Sequence, residues 1–151
     1  MFRFSKKIDY GLILLSDMCN DPAPASAREM AARYKLPQPM IANILKALGS
    51  GGVLQSTRGA QGGYELARNP RQITLTQIVE ALEGPFSLVD CVEDDDRCRY
   101  TEVCPTHDPL QVVHRKFQSF MEGLTLAEIV GSPQPLFQFR MDGNENALVH
   151  G

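Results

Sequence analysis

The sequence lacks an apolar run long enough to cross a membrane or to form a secretory signal. The largely apolar residues at 10–15 form only a short stretch, and Asp9 and Asp17 bracket it. We therefore expect a cytoplasmic protein with no membrane partner. Its 151 residues, of which 43% are hydrophobic, suit one domain with a core, or a small domain with an appended arm.

The sequence also lacks the side-chain constellations by which hydrolases and kinases are recognised, so we predict that the protein is not an enzyme. Several glycines follow Arg58, but they lie between two predicted strands. No Lys-Ser/Thr helix start comes after them, as it would in a phosphate-binding loop. A nucleotide site is therefore rejected, and we expect no small-molecule substrate.

The low net charge conceals a strong asymmetry along the chain. The formal net charge is -3, but residues 1–72 carry ten Lys/Arg against five Asp/Glu, which leaves +5 on that part and -8 on the rest. This division is typical of a protein in which only the basic half contacts an anionic polymer such as double-stranded DNA. The alternative is that both halves are simply solvated surfaces.

Three helices are predicted in the first third of the chain. The first covers residues 5–19, and a capping box formed by Ser26 and Glu29 starts the second at residues 27–34. Pro39 suits the first turn of the third. The last two helices resemble a helix-turn-helix, whose second helix enters the major groove. The side chains of that helix with suitable chemistry for contacts to base edges are Gln38, Asn43 and Lys46.

A predicted β-hairpin directly follows the recognition helix. Its strands are expected over residues 53–57 and 64–68, and its glycine-rich tip carries Arg58 and Gln61 as further DNA contacts. Arg58 is placed to enter a narrow minor groove. This order predicts a mainly α fold with a small β-wing, in which residues 1–84 form a winged helix-turn-helix DNA-binding domain.

A long amphipathic helix is predicted in the C-terminal part, where Asp108 can cap it and Pro109 suits its first position. We predict that residues 108–131, which include a short final helix, serve as a dimerisation element of a symmetric homodimer. The alternative is that the long helix folds back onto its own domain. Residues 132–151 are rich in Pro, Gln, Asn and Gly, a composition that predicts a disordered tail.

Three of the four cysteines lie in a polar segment that connects the winged helix to the long helix. Cys91, Cys98, Cys104 and His107 have the spacing C-x6-C-x5-C-x2-H. Three thiols cannot all pair in disulfides within one chain, whereas thiolate and imidazole are ligands of zinc and of iron-sulfur clusters. We therefore predict that residues 85–107 form a metal-binding loop. The fourth cysteine, Cys19, fits the apolar stripe of the first helix and is interpreted as a small buried hydrophobe.

Residues 2–131 resemble the bacterial winged-helix iron-sulfur transcription regulators of the IscR, Suf-operon and NsrR type. The resemblance rests on the wing segment at 58–64, the helix end at 80–85 and the three-cysteine loop. It implies a homodimer that binds operator DNA under the control of an iron-sulfur cluster and regulates cluster-assembly genes of the Isc or Suf type. It also implies that the four residues of the C-x6-C-x5-C-x2-H pattern are ligands of a [2Fe-2S] cluster.

Other readings stay open at this point. Residues 8–12 and 86–91 are similar to the nitric-oxide sensor of the family, which implies a repressor whose [4Fe-4S] cluster takes Asp9 in place of His107 as fourth ligand. Zinc is the competing metal, although structural zinc sites usually begin with a tighter pair of cysteines. A small iron-sulfur redox protein would need no wing with Arg58. A cluster-free thiol switch would need a disulfide within the cysteine loop.

Overall fold

A computed structural model of the chain describes residues 4–88, 100 and 103–131. It confirms the predicted fold class, a mainly helical protein with a two-stranded wing. The elements, in chain order, are α1 (Lys6–Asn20), α2 (Ala27–Tyr34), α3 (Gln38–Ser50), β1 (Leu54–Thr57), β2 (Gly63–Leu66), a 3-10 helix (Pro70–Gln72), α4 (Leu75–Glu83), α5 (His107–Gly123) and α6 (Leu126–Gly131).

Capping boxes set the start of α2 and of α4. The Ser26 hydroxyl accepts a hydrogen bond from the Glu29 amide at 3.2 Å, and the Glu29 carboxylate accepts one from the Ser26 amide at 2.7 Å. Thr74 and Gln77 make the same reciprocal pair at 3.2 and 3.3 Å. Each box satisfies two backbone donors that the first helical turn leaves without partners. The helix α2 therefore begins where the sequence predicts.

The core lies between α1, α3 and α4. The apolar spacing of α1 predicts a buried stripe of Ile8, Leu12, Leu15 and Cys19, and the observed stripe differs slightly from it. Its buried residues are Ile8, Gly11, Leu14, Leu15 and Met18. Cys19 is only partly buried, at the edge of the core, and burial raises the pKa of its thiol. Gly11 shifts the stripe because it allows close approach to α4: a Cβ there would lie 2.6 Å from Leu82 Cδ1.

The wing is an antiparallel hairpin in which Leu54 pairs with Leu66 and Thr57 pairs with Gly63. Its strands are shorter than predicted. A third segment joins the second strand, since Ala25 and Tyr64 exchange backbone hydrogen bonds of 3.0 and 2.9 Å. The connection between α1 and α2 therefore anchors the base of the wing to the helical domain.

The C-terminal helices share the core of the winged helix. The Leu75 amide donates to the Leu124 carbonyl at 2.8 Å, and the Leu126 amide donates to the Ile73 carbonyl at 2.7 Å. Met121 of α5 and Leu126 of α6 are 3% and 0% exposed. Because α5 begins at His107, the metal-ligand candidate lies on the helix rather than in the loop before it. The tail predicted over residues 132–151 lies outside the described residues.

Within the described residues, each helix falls short of the length or the apolar character that a bilayer crossing requires.

Candidate DNA interface and metal centre

The recognition helix α3 has one buried and one exposed face. Its buried residues are Ile41, Ile44, Leu45 and Leu48, as the apolar spacing predicts. The predicted base-contacting residues Gln38, Asn43 and Lys46 are all exposed. Asn43 and Lys46 share a face with Ser50, because the three are spaced at helical intervals. This face therefore presents amide, ammonium and hydroxyl groups together to solvent.

The turn before α3 is held by contacts from α1. Tyr34 donates its hydroxyl hydrogen to Asp17 at 2.7 Å, and Arg33 forms an ion pair with the same carboxylate. The chain then reverses at Lys35, which adopts the left-handed conformation with φ of 54°. Asp17 thus fixes the C-terminal end of α2, and through it the angle at which α3 leaves the domain.

The wing tip carries the two residues predicted to contact DNA, Arg58 and Gln61, and both are exposed. Glycines make the tight reversal between them possible. Gly59 has φ of 125°, and a Cβ on Gly62 would lie 2.2 Å from the Thr57 carbonyl oxygen. The glycines therefore have a conformational role, and Arg58 lies at the point where β1 ends and the tip begins.

An open groove of about 450 Å³ separates α3 from the wing. Its polar lining includes Lys46 and Ser50 from the helix and Gln55, Ser56 and Tyr64 from the strands. Sequence reasoning missed the two serines and Gln55 as part of this surface. The signal was present, since Ser50 continues the exposed spacing of Asn43 and Lys46, and Gln55 and Ser56 follow the buried Leu54.

Cys104 and His107 come together at the start of α5. The His107 amide donates to the Cys104 carbonyl at 3.3 Å, and Cys104 is partly exposed with its Sγ 3.3 Å from the Thr106 hydroxyl oxygen. Hydrogen bonds from the Thr106 side chain and backbone lower the pKa of the Cys104 thiol, and His107 adds to this effect. The thiolate, which is the form that binds metals, is thereby favoured.

The His107 ring is held on both sides by residues of the same helix. Nδ1 lies 3.0 Å from Asp108 Oδ1, and Nε2 lies 3.1 Å from the side-chain amide nitrogen Nε2 of Gln111. The His107 side chain is 16% exposed, whereas that of Asp108 is 95% exposed. The alternative ligand Asp9 is exposed in the first turn of α1.

Two of the predicted ligands, Cys91 and Cys98, lie outside the described residues. Among the residues that are described, no group of three or more His, Cys, Asp or Glu side chains is arranged to hold a metal ion. The described part of the predicted metal centre therefore consists of one thiol and one imidazole on neighbouring backbone turns.

His114 is a buried residue near this segment that sequence reasoning did not single out. It is 9% exposed, and its Nδ1 has no hydrogen-bond partner among the described residues. Its ring stacks on Phe86, which follows α4 at the entry to the cysteine segment. The spacing of His114 to the buried Met121 is two helical turns, so the apolar periodicity of α5 could have indicated it.

A second face of α5 exposes large apolar side chains. Val112, Val113, Phe117 and Phe120 are between 41% and 46% exposed, and Ile13 of α1 is 40% exposed. Isolated exposed apolar residues are common, but four on one helix form a stripe of the kind found at interaction sites. The long helix thus packs on its own domain with one face and presents apolar residues to solvent with another.

Comparison with known proteins identifies relatives over most of the chain. The family model Rrf2, described as "Iron-dependent Transcriptional regulator", matches residues 4–132. Protein rrf2 of Nitratidesulfovibrio vulgaris is 30% identical over 127 residues, which cover 80% of this chain and 82% of that protein. The HTH-type transcriptional regulator CymR of Bacillus subtilis is 32% identical over 96 residues, 62% of this chain and 70% of CymR.

Solved structures give the same result for the fold. The structure of T. potens IscR is 27% identical, with a TM-score of 0.64 over 86% of this chain and 87% of that one. The structure of CymR, the global cysteine regulator of B. subtilis, is 26% identical, with a TM-score of 0.66 over 87% and 98% of the two chains. The family model and CymR are both described as transcriptional regulators, which confirms the prediction that the chain is not an enzyme.

Proposed function

The chain belongs to the Rrf2 family of winged-helix, DNA-binding transcriptional regulators, and we propose that an iron-sulfur cluster controls its binding to operator DNA. The observation that carries this proposal is the backbone turn that joins Cys104 to His107 at the start of α5, directly after the cysteine-rich segment. We further infer that the regulated genes include those for cluster assembly of the Isc or Suf type. A regulator of this kind would act in the cytoplasm, where the bacterial chromosome lies.

The DNA-binding surface would combine α3 and the wing. Asn43 and Lys46 would face base edges and phosphates in the major groove, while Arg58 would reach the adjacent minor groove. Gln38 at the helix start and Gln61 at the wing tip are also exposed and would extend this surface. The groove between α3 and the wing suits the sugar-phosphate backbone, since Lys46, Ser50 and Ser56 provide donors for phosphate oxygens.

Three observations support an iron-sulfur cluster at the start of α5. The Cys104 thiol is partly exposed and its pKa is lowered, which favours the ligating thiolate. The His107 ring is fixed by two neighbours rather than free to rotate. The polar sequence before it holds two further thiols, at 91 and 98. Cys91, Cys98, Cys104 and His107 would therefore hold a [2Fe-2S] cluster.

A bound cluster would supply a redox-active centre that is sensitive to iron supply, oxygen and nitric oxide. Replacing one thiolate by a neutral imidazole leaves such a site less negative and raises its potential. His107 would thus make the site easier to empty than a site with four thiolates. This property suits a sensor of cluster supply better than a permanent electron carrier.

A homodimer is the proposed assembly, and the exposed apolar face of α5 is its proposed interface. The four exposed side chains on this helix would be covered by the same helix of a second copy. A two-fold protein would place two recognition helices on successive half-sites of an operator. Cluster occupancy at the first turn of the same helix could then change the spacing between the two wings.

A cluster-free thiol switch is the second candidate function. The partly exposed thiol of Cys104 favours it, as does the similarity to CymR, whose structure is described as that of a global cysteine regulator. The nitric-oxide-sensing alternative, with a [4Fe-4S] cluster and Asp9 as ligand, differs from the main proposal in cluster type and in the fourth ligand.

Anaerobic purification followed by Mössbauer spectroscopy distinguishes these candidates. We expect a coloured protein with iron and acid-labile sulfide near one [2Fe-2S] cluster per chain, an altered spectrum for His107→Ala and an unaltered one for Asp9→Ala. A spectrum that changes in Asp9→Ala but not in His107→Ala would transfer the ligand role to Asp9. A colourless protein that holds only zinc, or a metal-free protein with a disulfide, would refute control by an iron-sulfur cluster.

A further inference from the structure

The hydrogen bonds around His107 define which of its nitrogens is available to a metal. An ionised carboxylate only accepts hydrogen bonds, so the contact of Asp108 Oδ1 with Nδ1 requires a hydrogen on Nδ1. In the neutral ring the Nε2 atom of His107 then carries the lone pair, and the side-chain amide of Gln111 donates a hydrogen bond to it. Two independent contacts therefore agree on the same tautomer.

We propose that His107 binds the cluster through Nε2, that Asp108 is a positioning residue for this nitrogen, and that Gln111 competes with iron for it. This inference rests on the proposed iron-sulfur function and adds two residues to it. Asp108 accepts a hydrogen bond from Nδ1-H and so keeps the lone pair on Nε2. Carboxylates that contact metal-bound histidines in other proteins have the same role. Gln111 occupies the lone pair whenever iron does not.

The two residues act in opposite directions on cluster retention. The Asp108 contact can form in both the empty and the loaded site, and it keeps the lone pair of His107 on Nε2. Removing this contact should therefore weaken the bond between His107 and the cluster. The Gln111 contact exists only in the empty site, so removing it stabilises the loaded site relative to the empty one. Gln111 is half-buried one turn after His107, whereas Asp108 is 95% exposed. We therefore expect Gln111 to have the larger effect.

Nitrogen-15 NMR of histidine-labelled, cluster-free full-length protein tests the tautomer without any cluster. At about pH 8, where an ordinary imidazole is neutral, we expect a protonated Nδ1 and an unprotonated Nε2 for His107 in the wild type. Asp108→Asn, which retains an accepting oxygen, should keep this state, and Asp108→Ala should lose part of it. A wild-type His107 with its proton on Nε2 would overturn the proposal.

Equilibrium partition of the reconstituted cluster between the protein and a chelator, followed by absorbance, tests the competition. We expect Gln111→Leu to hold the cluster about threefold to tenfold more tightly than the wild type, the factor that one net hydrogen bond represents. Asp108→Ala should hold it less tightly. Gln118→Leu makes the same chemical change two turns further along α5 and serves as the control with an unchanged partition.

The outcomes separate this inference from the function on which it rests. Gln111→Ala is the second variant, in case the leucine disturbs α5, and circular dichroism verifies the helix in both. If both folded Gln111 variants hold the cluster no more tightly than the wild type, the competition is refuted while the iron-sulfur function stands. If the wild type takes up no cluster, the proposed function and its ligand assignment both fail.

Discussion

Phe86 stacks on His114, with ring centroids 5.6 Å apart and ring planes 9° from parallel. Phe86 follows α4 at the entry to the cysteine segment, and His114 lies two turns into α5, beyond the exit of that segment. The stack therefore links the two ends of the proposed cluster-binding region through a half-buried phenylalanine and a buried histidine. A disturbance in that region would be transmitted to α5 through this contact.

Substitution of His114 separates stacking from polarity. His114→Phe retains an aromatic ring and removes the Nδ1 that has no partner among the described residues. We therefore expect its free energy of unfolding to lie between that of the wild type and a value about 1 kcal/mol higher. His114→Ala should lose about 1–3 kcal/mol through the lost stacking and burial. Urea unfolding of the cluster-free protein measures both; equal losses in the two variants would contradict this role for the stack.

Arg58 is expected to contribute directly to operator binding. Arg58→Ala should weaken binding by about 1–3 kcal/mol. It should also reduce the magnitude of the slope of log affinity against log salt concentration by about one. Arg58→Lys should restore the salt slope but only part of the affinity, because lysine is less suited to a narrow minor groove. Fluorescence anisotropy over a salt series measures both quantities, and unchanged affinity in Arg58→Ala would remove the wing from the interface.

Gly63 is expected to be essential for anchoring the wing. A Cβ there would lie 2.6–2.9 Å from backbone atoms of Ala25, which cannot move without breaking the Ala25–Tyr64 pair. Gly63→Ala should therefore lower the free energy of unfolding by about 1–3 kcal/mol and speed hydrogen exchange of the Tyr64 amide. Gly123→Ala is the matched control, since nothing lies within 4 Å of a Cβ at that position; similar losses in both variants would refute the steric argument.

Val113 tests the proposed interface on α5. Val113→Asp places a charge within the exposed apolar stripe and should convert the dimer into monomers, with a large loss of operator affinity. Arg115→Asp places the same carboxylate at an exposed position on the side of the helix away from the stripe and should leave the dimer intact. Sedimentation velocity provides the measurement, and a wild type that sediments as a monomer would contradict the proposed assembly.

The sequence predicted the winged helix well because its signals are local. The capping boxes of Ser26 and Thr74 and the apolar spacing of α3 each act within one or two helical turns. The start of α5 was less well predicted: Asp108 and Pro109 suggested a later start, but the helix begins at His107. A cap preference is worth only about 1 kcal/mol, so neighbouring contacts can shift a helix end by a residue or two.

Long-range contacts were the part that the sequence could not provide. The pairing of Ala25 with Tyr64, the burial of Leu126 beside Ile73 and the stack of Phe86 on His114 join residues far apart in the chain. Nothing in local spacing specifies such partners. For the metal centre, residue type and spacing predicted Cys104 and His107 as ligands, whereas the neighbours that orient His107 became visible only with the helix in place.

The central claim, that cluster occupancy controls DNA binding, is tested most directly by the operator affinity of one preparation before and after its cluster is removed. The measurement uses anaerobic full-length protein, a duplex selected by that protein from a random library, and a fixed salt concentration. The proposed function predicts that affinity changes by at least about fivefold, the lower end of ordinary allosteric coupling, and that reloading the cluster restores it. Equal affinity of the loaded and cluster-free protein would contradict it.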